Sequence, residues 1–103
     1  MALRSYQVVV ADAFADDLEQ ALIYYERQSG PQSAECFLGK YDSFIELVSR
    51  IPGHGSLIGD SGLRWRQLDV FIAVYEEDEI EHVVTVLRLY YLSTNWRHRI
   101  LGD

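Results

Sequence analysis

Lysine and cysteine are almost missing from this chain of 103 residues, which has one of each, Lys40 and Cys36. A single cysteine cannot form an internal disulfide, and Cys36 falls off the apolar face of its predicted helix with no cation nearby. The three histidines are scattered, and no Cys/His pair stands at ligand spacing. The sequence therefore predicts no internal disulfide, no nucleophilic cysteine, no metal site and no cofactor.

Long apolar runs and basic charge are also scarce. No segment approaches the roughly 20 apolar residues that a membrane-spanning helix needs, and "MALRSYQVVV" lacks the pattern of a secretory signal. The chain has nine basic and sixteen acidic side chains, a formal charge of -7, so the net field repels phosphate and anionic membranes. We expect a protein of the reducing cytoplasm that does not contact membranes and does not bind nucleic acid directly.

The apolar residues that are present predict one domain covering residues 1–103. "SYQVVVAD" is typical of a strand, and apolar side chains then recur at helical spacing on both sides of "SGP". The predicted helical core positions are Phe14, Leu18, Leu22, Phe37, Phe44, Ile45 and Val48. After the predicted loop "GHGSLIGDSG", three strands follow, "LRWRQL", "VFIAVYEE" and "HVVTVLRLYY", and "STNWRHRIL" predicts a short helix. The order β-α-α-β-β-β-α predicts an α+β fold, with a two-helix hairpin packed on a four-stranded, mainly antiparallel sheet.

Two strands carry arginines at informative positions. Arg64 and Arg66 are two residues apart, so they share a face while Trp65 points away. They could grip phosphate or an acidic segment, or lie on a solvated sheet face. Arg88 interrupts an apolar strand and is predicted to share a face with Val84, Val86 and Tyr90; such an arginine is either functional or held in an ion pair.

The last residues concentrate aromatic and basic side chains, although the chain is acidic. Tyr90 and Tyr91 are adjacent in a strand and must face opposite sides of the sheet. Arg97, His98 and Arg99 lie on the closing helix, where positive charge at the C-terminal end suits the helix dipole. We favour that structural role for His98, while Arg97 and Arg99 are equally suited to binding a partner.

These residues, taken in order, resemble the RelE/ParE superfamily, the toxins of type II toxin-antitoxin modules. The first half of the resemblance rests on Asp17, Leu18, Tyr24, Tyr25, Ala34, Phe37, Leu47, Pro52 and Gly55. The second half rests on Arg66-Gln67-Leu68, Phe71, Tyr75, "VVTVLRLYY" and the Trp96 to Arg99 spacing. One departure stands out, because Tyr91 occupies a position where many ParE-like chains have histidine, and "LST" replaces the basic residues that commonly follow it.

The resemblance implies one of two toxic activities. RelE-like toxins cleave messenger RNA in the ribosome by directing the ribose 2'-hydroxyl onto the neighbouring phosphate, which needs a base, an acid and cations. ParE-like toxins instead inhibit DNA gyrase, in some cases as plasmid stabilisation systems. In both branches an antitoxin segment folds over the toxin, and a toxin dimer within that complex is a further expectation. A third alternative is a non-toxic relative retained for complex formation.

We favour the ParE-like branch and a non-enzymatic protein, because the acidic charge, the "EEDEIE" hairpin and the single lysine oppose ribosome-directed cleavage. If the chain is nevertheless a ribonuclease, the candidate catalytic residues are Arg66, Arg88, Tyr91 and His98. The predicted partner-binding residues are Arg64, Arg66, Arg88, Tyr90, Trp96, Arg97 and Arg99.

Overall fold

A helical hairpin follows the first strand, as predicted. The computed structural model describes residues 5–101, in which β1 (Gln7–Val10) leads into α1 (Asp12–Ser29) and α2 (Pro31–Arg50). The chain reverses at Gly30, whose φ of 90° favours glycine, and the Gly30 N–H caps α1 by donating to the Glu26 carbonyl at 2.9 Å. Pro31 then opens α2, where a missing N–H costs nothing.

The sheet has five strands, not the four predicted. A short 3-10 turn (Pro52–His54) is followed by β2 (Ser56–Leu57), β3 (Arg64–Leu68), β4 (Phe71–Asp78) and β5 (Val83–Tyr91), and α3 (Trp96–Leu101) comes last. The extra strand β2 lies inside the predicted loop and pairs with only two residues of β3, too few to show an alternating pattern. The spatial order is β1-β5-β4-β3-β2, in which β1 runs parallel to β5 and the other neighbours are antiparallel.

Each face of the sheet has its own hydrophobic core. The helical hairpin covers the first face, where the predicted core residues Phe14, Phe37, Phe44 and Val48 are buried and Leu18, Leu22 and Ile45 are partly buried. The residues α3 covers on the second face are Ile58, Ile72, Val74, Tyr90 and its own Trp96. A sheet covered on both faces explains the uninterrupted run of five buried residues at the start of β4.

Candidate functional site

Arg88 forms an ion pair at the open edge of β5. β1 pairs with β5 only as far as Val86, so the outer edge of β5 has no neighbouring strand beyond that point within residues 5–101. Asp17 of α1 lies against this edge, and its carboxylate accepts hydrogen bonds from Arg88 Nε at 2.7 Å, Arg88 Nη2 at 3.1 Å and the Leu89 N–H at 3.0 Å. The hydrogen bond to Asp17 raises the pKa of Arg88. Of the two roles left open for Arg88, the structure contains the ion pair.

A β-bulge decides which face Arg88 occupies. Arg88 pairs with Val74 across the sheet, whereas the next pair is Val86 with Tyr75, so Leu87 is an extra residue in β5. Val84 and Val86 belong to the helix-covered core, while Arg88 lies over the Tyr90 ring at 5.1 Å on the α3 side. The prediction that Arg88 shares a face with Val84 and Val86 is therefore wrong, because the bulge shifts the alternation by one residue; the shared face with Tyr90 is confirmed.

Arg64 and Arg66 bind the turn that follows α2. They point to the same face and Trp65 to the other, as predicted, because their partners Tyr75 and Ala73 belong to the helix-covered core. That face is not the solvated one. Arg64 donates to the Gly55 carbonyl at 2.7 Å and the Gly53 carbonyl at 3.3 Å, and the Arg66 guanidinium contacts His54 Nδ1.

A buried phenol holds the same turn from inside. Tyr75 is fully buried, its hydroxyl donates to the Pro52 carbonyl at 2.6 Å, and it accepts from the Gly55 N–H at 2.8 Å. A Cβ at Gly55 would lie 2.8 Å from the Trp65 carbonyl oxygen, so only glycine fits there. Tyr75 therefore fixes the position of the turn that the side chains of Arg64 and Arg66 contact.

The aromatic and basic residues of α3 divide between core and surface. Trp96 and Tyr90 are 4% and 7% exposed and belong to the second core. Arg97 is exposed and its guanidinium lies 4.4 Å from the Trp96 ring centroid and 5.3 Å from that of Trp65. His98 and Arg99 are exposed on the same short helix. A partner binding here would meet the arginines directly, while the two buried rings support the surface from below.

Tyr91 lines an apolar groove on the helix-covered face, opposite to Tyr90, as predicted. Its ring contacts Phe71 and Tyr24 with centroids 5.5 and 5.6 Å apart, and the hydroxyls of Tyr91 and Tyr24 are 3.4 Å apart. This contact is the main reason that the pKa of Tyr24 is raised. The groove, about 390 Å³, lies between α1 and the end of β5.

The four candidate ribonuclease residues do not converge. Arg66 is on β3 and Tyr91 is at the end of β5, both on the helix-covered face. Arg88 is on the other face, to which α3 with His98 is also packed. β4 separates β3 from β5, so the axes of β3 and β5 are about 9–10 Å apart. Side chains on opposite faces of the sheet are farther apart still. The structure thus places the four side chains around the sheet and not in one pocket.

A second network was not predicted from the sequence. Asp69, in the turn between β3 and β4, accepts a hydrogen bond from the Tyr25 hydroxyl at 2.5 Å and lies 3.6 Å from Lys40 Nζ. The Tyr25 bond is the main cause of the lowered pKa of Asp69, and burial raises the pKa of Tyr25 above its usual range. Asp69 has a φ of 56°, which is uncommon outside glycine. The sequence gives no indication of this backbone conformation, and so the network of Asp69 was not predicted.

Residues 5–101 contain neither a metal-ligand cluster nor a membrane-spanning helix. No three His, Cys, Asp or Glu side chains come together there as metal ligands would. None of the helices in this part of the chain has both the length and the apolar character that crossing a bilayer requires.

Solved structures of toxin-antitoxin proteins share this fold. The chain matches one described as the chromosomal ParDE TA system from P. aeruginosa, with a TM-score of 0.73 and 16% identity over 88% of this chain and 100% of that one. It matches a YoeB/ParE toxin from Agrobacterium tumefaciens with a TM-score of 0.58 and 20% identity, over 82% and 97% of the two chains. It also matches the intact E. coli RelBE toxin-antitoxin complex, with a TM-score of 0.55 and 16% identity over 87% and 100%.

Sequence comparison alone finds nothing comparable, since no protein-family model and no curated protein matches the chain. The structural match nevertheless extends over 97–100% of those chains. The chain therefore has the fold of these toxin and toxin-antitoxin structures, which is the fold that the resemblance implied.

Proposed function

We propose that this chain is the toxin of a type II toxin-antitoxin module, that it acts in the cytoplasm on DNA gyrase in the manner of ParE, and that a cognate antitoxin neutralises it. The fold supports the toxin role, because the matching structures are described as ParDE, YoeB/ParE and RelBE proteins. The TM-score of 0.73 with the ParDE structure supports the ParE-like branch over the RelE-like one.

The distribution of the candidate catalytic residues is the observation that carries the choice of target. Acid-base cleavage of RNA requires titratable groups and cations around one scissile phosphate. Here Arg66 and Arg88 lie on opposite faces of the sheet, and the Arg88 guanidinium is already bound to the Asp17 carboxylate. A phosphate at Arg88 would have to displace that carboxylate. These features favour a toxin that acts by binding a protein.

The charge distribution supports the same choice. The hairpin between β4 and β5 carries five acids in the six residues 76–81, and Ile80 at its tip is 94% exposed. An acidic projection of this kind is repelled by the phosphates that surround a messenger RNA bound in the ribosome. A protein target does not impose that cost.

For the antitoxin, three arginines on two parts of the surface are the proposed contacts. Arg97 and Arg99 are exposed, Arg66 is partly exposed beside His54, and carboxylates of an antitoxin segment would pair with them. Arg64 and Arg88 already have intramolecular acceptors, and Tyr90 and Trp96 are buried, so these four would support the surface. A toxin dimer within the complex is part of the proposal, and sedimentation of the purified complex measures it.

The decisive experiment compares the two activities in one preparation. Purified protein is assayed for inhibition of gyrase supercoiling and for cleavage of messenger RNA on programmed ribosomes. We expect inhibition of supercoiling and no cleavage. Tyr91→Phe is the matched variant, since it removes a hydroxyl whose nearest partner is another hydroxyl and keeps the ring packed against Phe71. Cleavage by the wild type that Tyr91→Phe abolishes, with supercoiling untouched, would assign the RelE-like activity.

A growth test separates toxins from non-toxic relatives. The gene is induced alone and together with the small open reading frame that we expect beside it. Arrest that the second gene relieves supports a toxin and its antitoxin. Normal growth with soluble protein present would leave only the third alternative, a non-toxic member retained for complex formation.

A further inference from the structure

A groove of about 520 Å³ runs between α2 and β3, on the side of the molecule away from Arg88. Its floor is apolar, formed by Phe44, Leu47 and Leu68. The groove is open at Gly39 in the middle of α2, where an added Cβ would have nothing within 4 Å. Phe44 and Leu68 belong to the core between the helical hairpin and the sheet, so the floor of the groove is part of that core.

The strand that borders this groove has a free backbone edge. β2 pairs with Arg64 and Trp65 only, so no described strand lies beside β3 from Arg66 onwards. The Ile58 N–H donates to the Leu63 carbonyl, and because antiparallel pairs alternate, Trp65 and then Gln67 direct their main-chain groups to that same side. Gln67 therefore presents an N–H and a carbonyl along the groove, as a template for one more strand.

Positive charge flanks the groove, although the chain carries -7. Lys40 lines the helix side and Arg66 the strand side. Asp69, the acid that lines the groove, has its carboxylate bound to the Tyr25 hydroxyl, and its contact with Lys40 is loose and solvent-exposed at 3.6 Å. The lysine head can therefore exchange that contact for a second carboxylate at little cost. A backbone edge, an apolar floor and two flanking cations together select an extended peptide with apolar and acidic side chains.

We infer that this groove holds an extended acidic segment of the antitoxin, which adds a short strand at Gln67 and places carboxylates against Lys40 and Arg66. The inference rests on the proposed toxin function, and it adds a site that includes Lys40, Gly39 and the free edge of β3. The main-chain bonds fix the register of the segment, and the apolar floor accepts one of its side chains.

Cys36 provides a direct test because it is the only cysteine, it is exposed and it lines the groove. The probe is the purified protein encoded by the neighbouring open reading frame. The rate of Cys36 alkylation by iodoacetamide is measured with and without that protein, and its dissociation constant is measured by calorimetry. We expect saturating antitoxin to slow alkylation by about tenfold or more, as a covered groove requires.

Two pairs of variants separate the groove from the rest of the surface. Lys40→Glu is expected to raise the dissociation constant by about fivefold to tenfold, about 1 kcal/mol, whereas Arg50→Glu makes the same charge change on α2 outside the groove and should have little effect. Gly39→Phe should weaken binding by at least about tenfold by filling the groove, while improving helix propensity, so lost folding cannot explain the result. Asp42→Phe, exposed on the same helix and outside the groove, is its control.

The outcomes distinguish the two levels of the proposal. Tight binding with unprotected Cys36, and with Lys40→Glu and Gly39→Phe no weaker than their controls, would overturn the groove while leaving the toxin role intact. No binding of the neighbouring protein to the wild-type chain would overturn the proposed function itself. Protection of Cys36 together with both selective losses supports the site.

Discussion

Replacing Asp17 with alanine should destabilise the protein by about 2 kcal/mol. Three hydrogen bonds end on this carboxylate, two from Arg88 and one from the Leu89 N–H. A hydrogen bond to a charged group contributes about 1.5–3 kcal/mol when buried. The Asp17 side chain is 18% exposed and that of Arg88 is 40% exposed, so water can replace the arginine contacts. The two arginine hydrogen bonds therefore contribute much less to the free energy of unfolding than buried ones would. The Leu89 N–H, which needs an acceptor at the strand edge, accounts for much of the rest.

Urea denaturation monitored by circular dichroism measures this loss of stability, and two further variants serve as comparisons. Asp17→Asn keeps an oxygen that can accept from the Leu89 N–H but removes the charge, so it should cost about half as much. Asp16→Ala removes an adjacent, exposed acid near the start of α1 and should cost only the dipole contribution, below about 1 kcal/mol. A double-mutant cycle with Arg88→Ala should give a coupling energy of about 1 kcal/mol.

The result bears on function as well as stability. If Asp17→Ala costs no more than Asp16→Ala, and the cycle shows no coupling, then Asp17 does not hold Arg88. In that case Arg88 would be available to a phosphate, and only the separation of Arg66 and Arg88 on opposite faces would still oppose the ribonuclease alternative.

Three further predictions concern the core, the turn and the dependence on pH. Phe44→Ala should cost about 3–5 kcal/mol in urea denaturation, because the ring is 2% exposed between α2 and the sheet. Tyr75→Phe should cost about 1–3 kcal/mol and release the turn, because the Pro52 carbonyl and Gly55 N–H lose their buried partner; intact protection of the Gly55 amide in hydrogen exchange would contradict this. The pKa of Asp69 is lowered on folding, so its contribution is present above its ordinary value near 3.8 and is lost as pH falls through the folded value. The stability difference between wild type and Asp69→Asn should therefore shrink on acidification below about pH 4, and a constant difference would remove Asp69 from the network.

Most of the fold could be predicted because its helices and strands are long enough to show their periods. Phe37, Phe44 and Val48 repeat the helical period over about three turns of α2, and the glycine-proline pair between the helices leaves few alternatives. β2 could not be predicted, because two paired residues contain no period at all. Its pairing depends on Tyr75 and Gly55 holding the preceding turn against the sheet, which is a tertiary effect.

The candidate site was harder to predict than the fold. Strand alternation correctly predicted that Arg64 and Arg66 share a face and that Tyr90 and Tyr91 lie on opposite faces, since each pair lies within a regular stretch of strand. It could not give the partners: nothing near Asp17 distinguishes it from Asp16 or Asp12, and Lys40 meets Asp69 only after α2 packs beside β3. Pairings of this kind join residues far apart in the chain, which a single sequence does not reveal.

Arg88 illustrates how a local irregularity changes a functional conclusion. With regular alternation, Arg88 would have shared a face with Val84 and Val86, and therefore with Arg66, and two arginines on one face would have resembled a phosphate site. One extra residue, Leu87, moves Arg88 together with Tyr90 to the face opposite Val84 and Val86, and Asp17 reaches the guanidinium around the open edge. Because a bulge of one residue leaves no trace in composition or spacing, the sequence of β5 is compatible with either arrangement until its pairing with β4 is known. The choice between an RNA-cleaving surface and a protein-binding one thus depends more on strand register than on which residues are present.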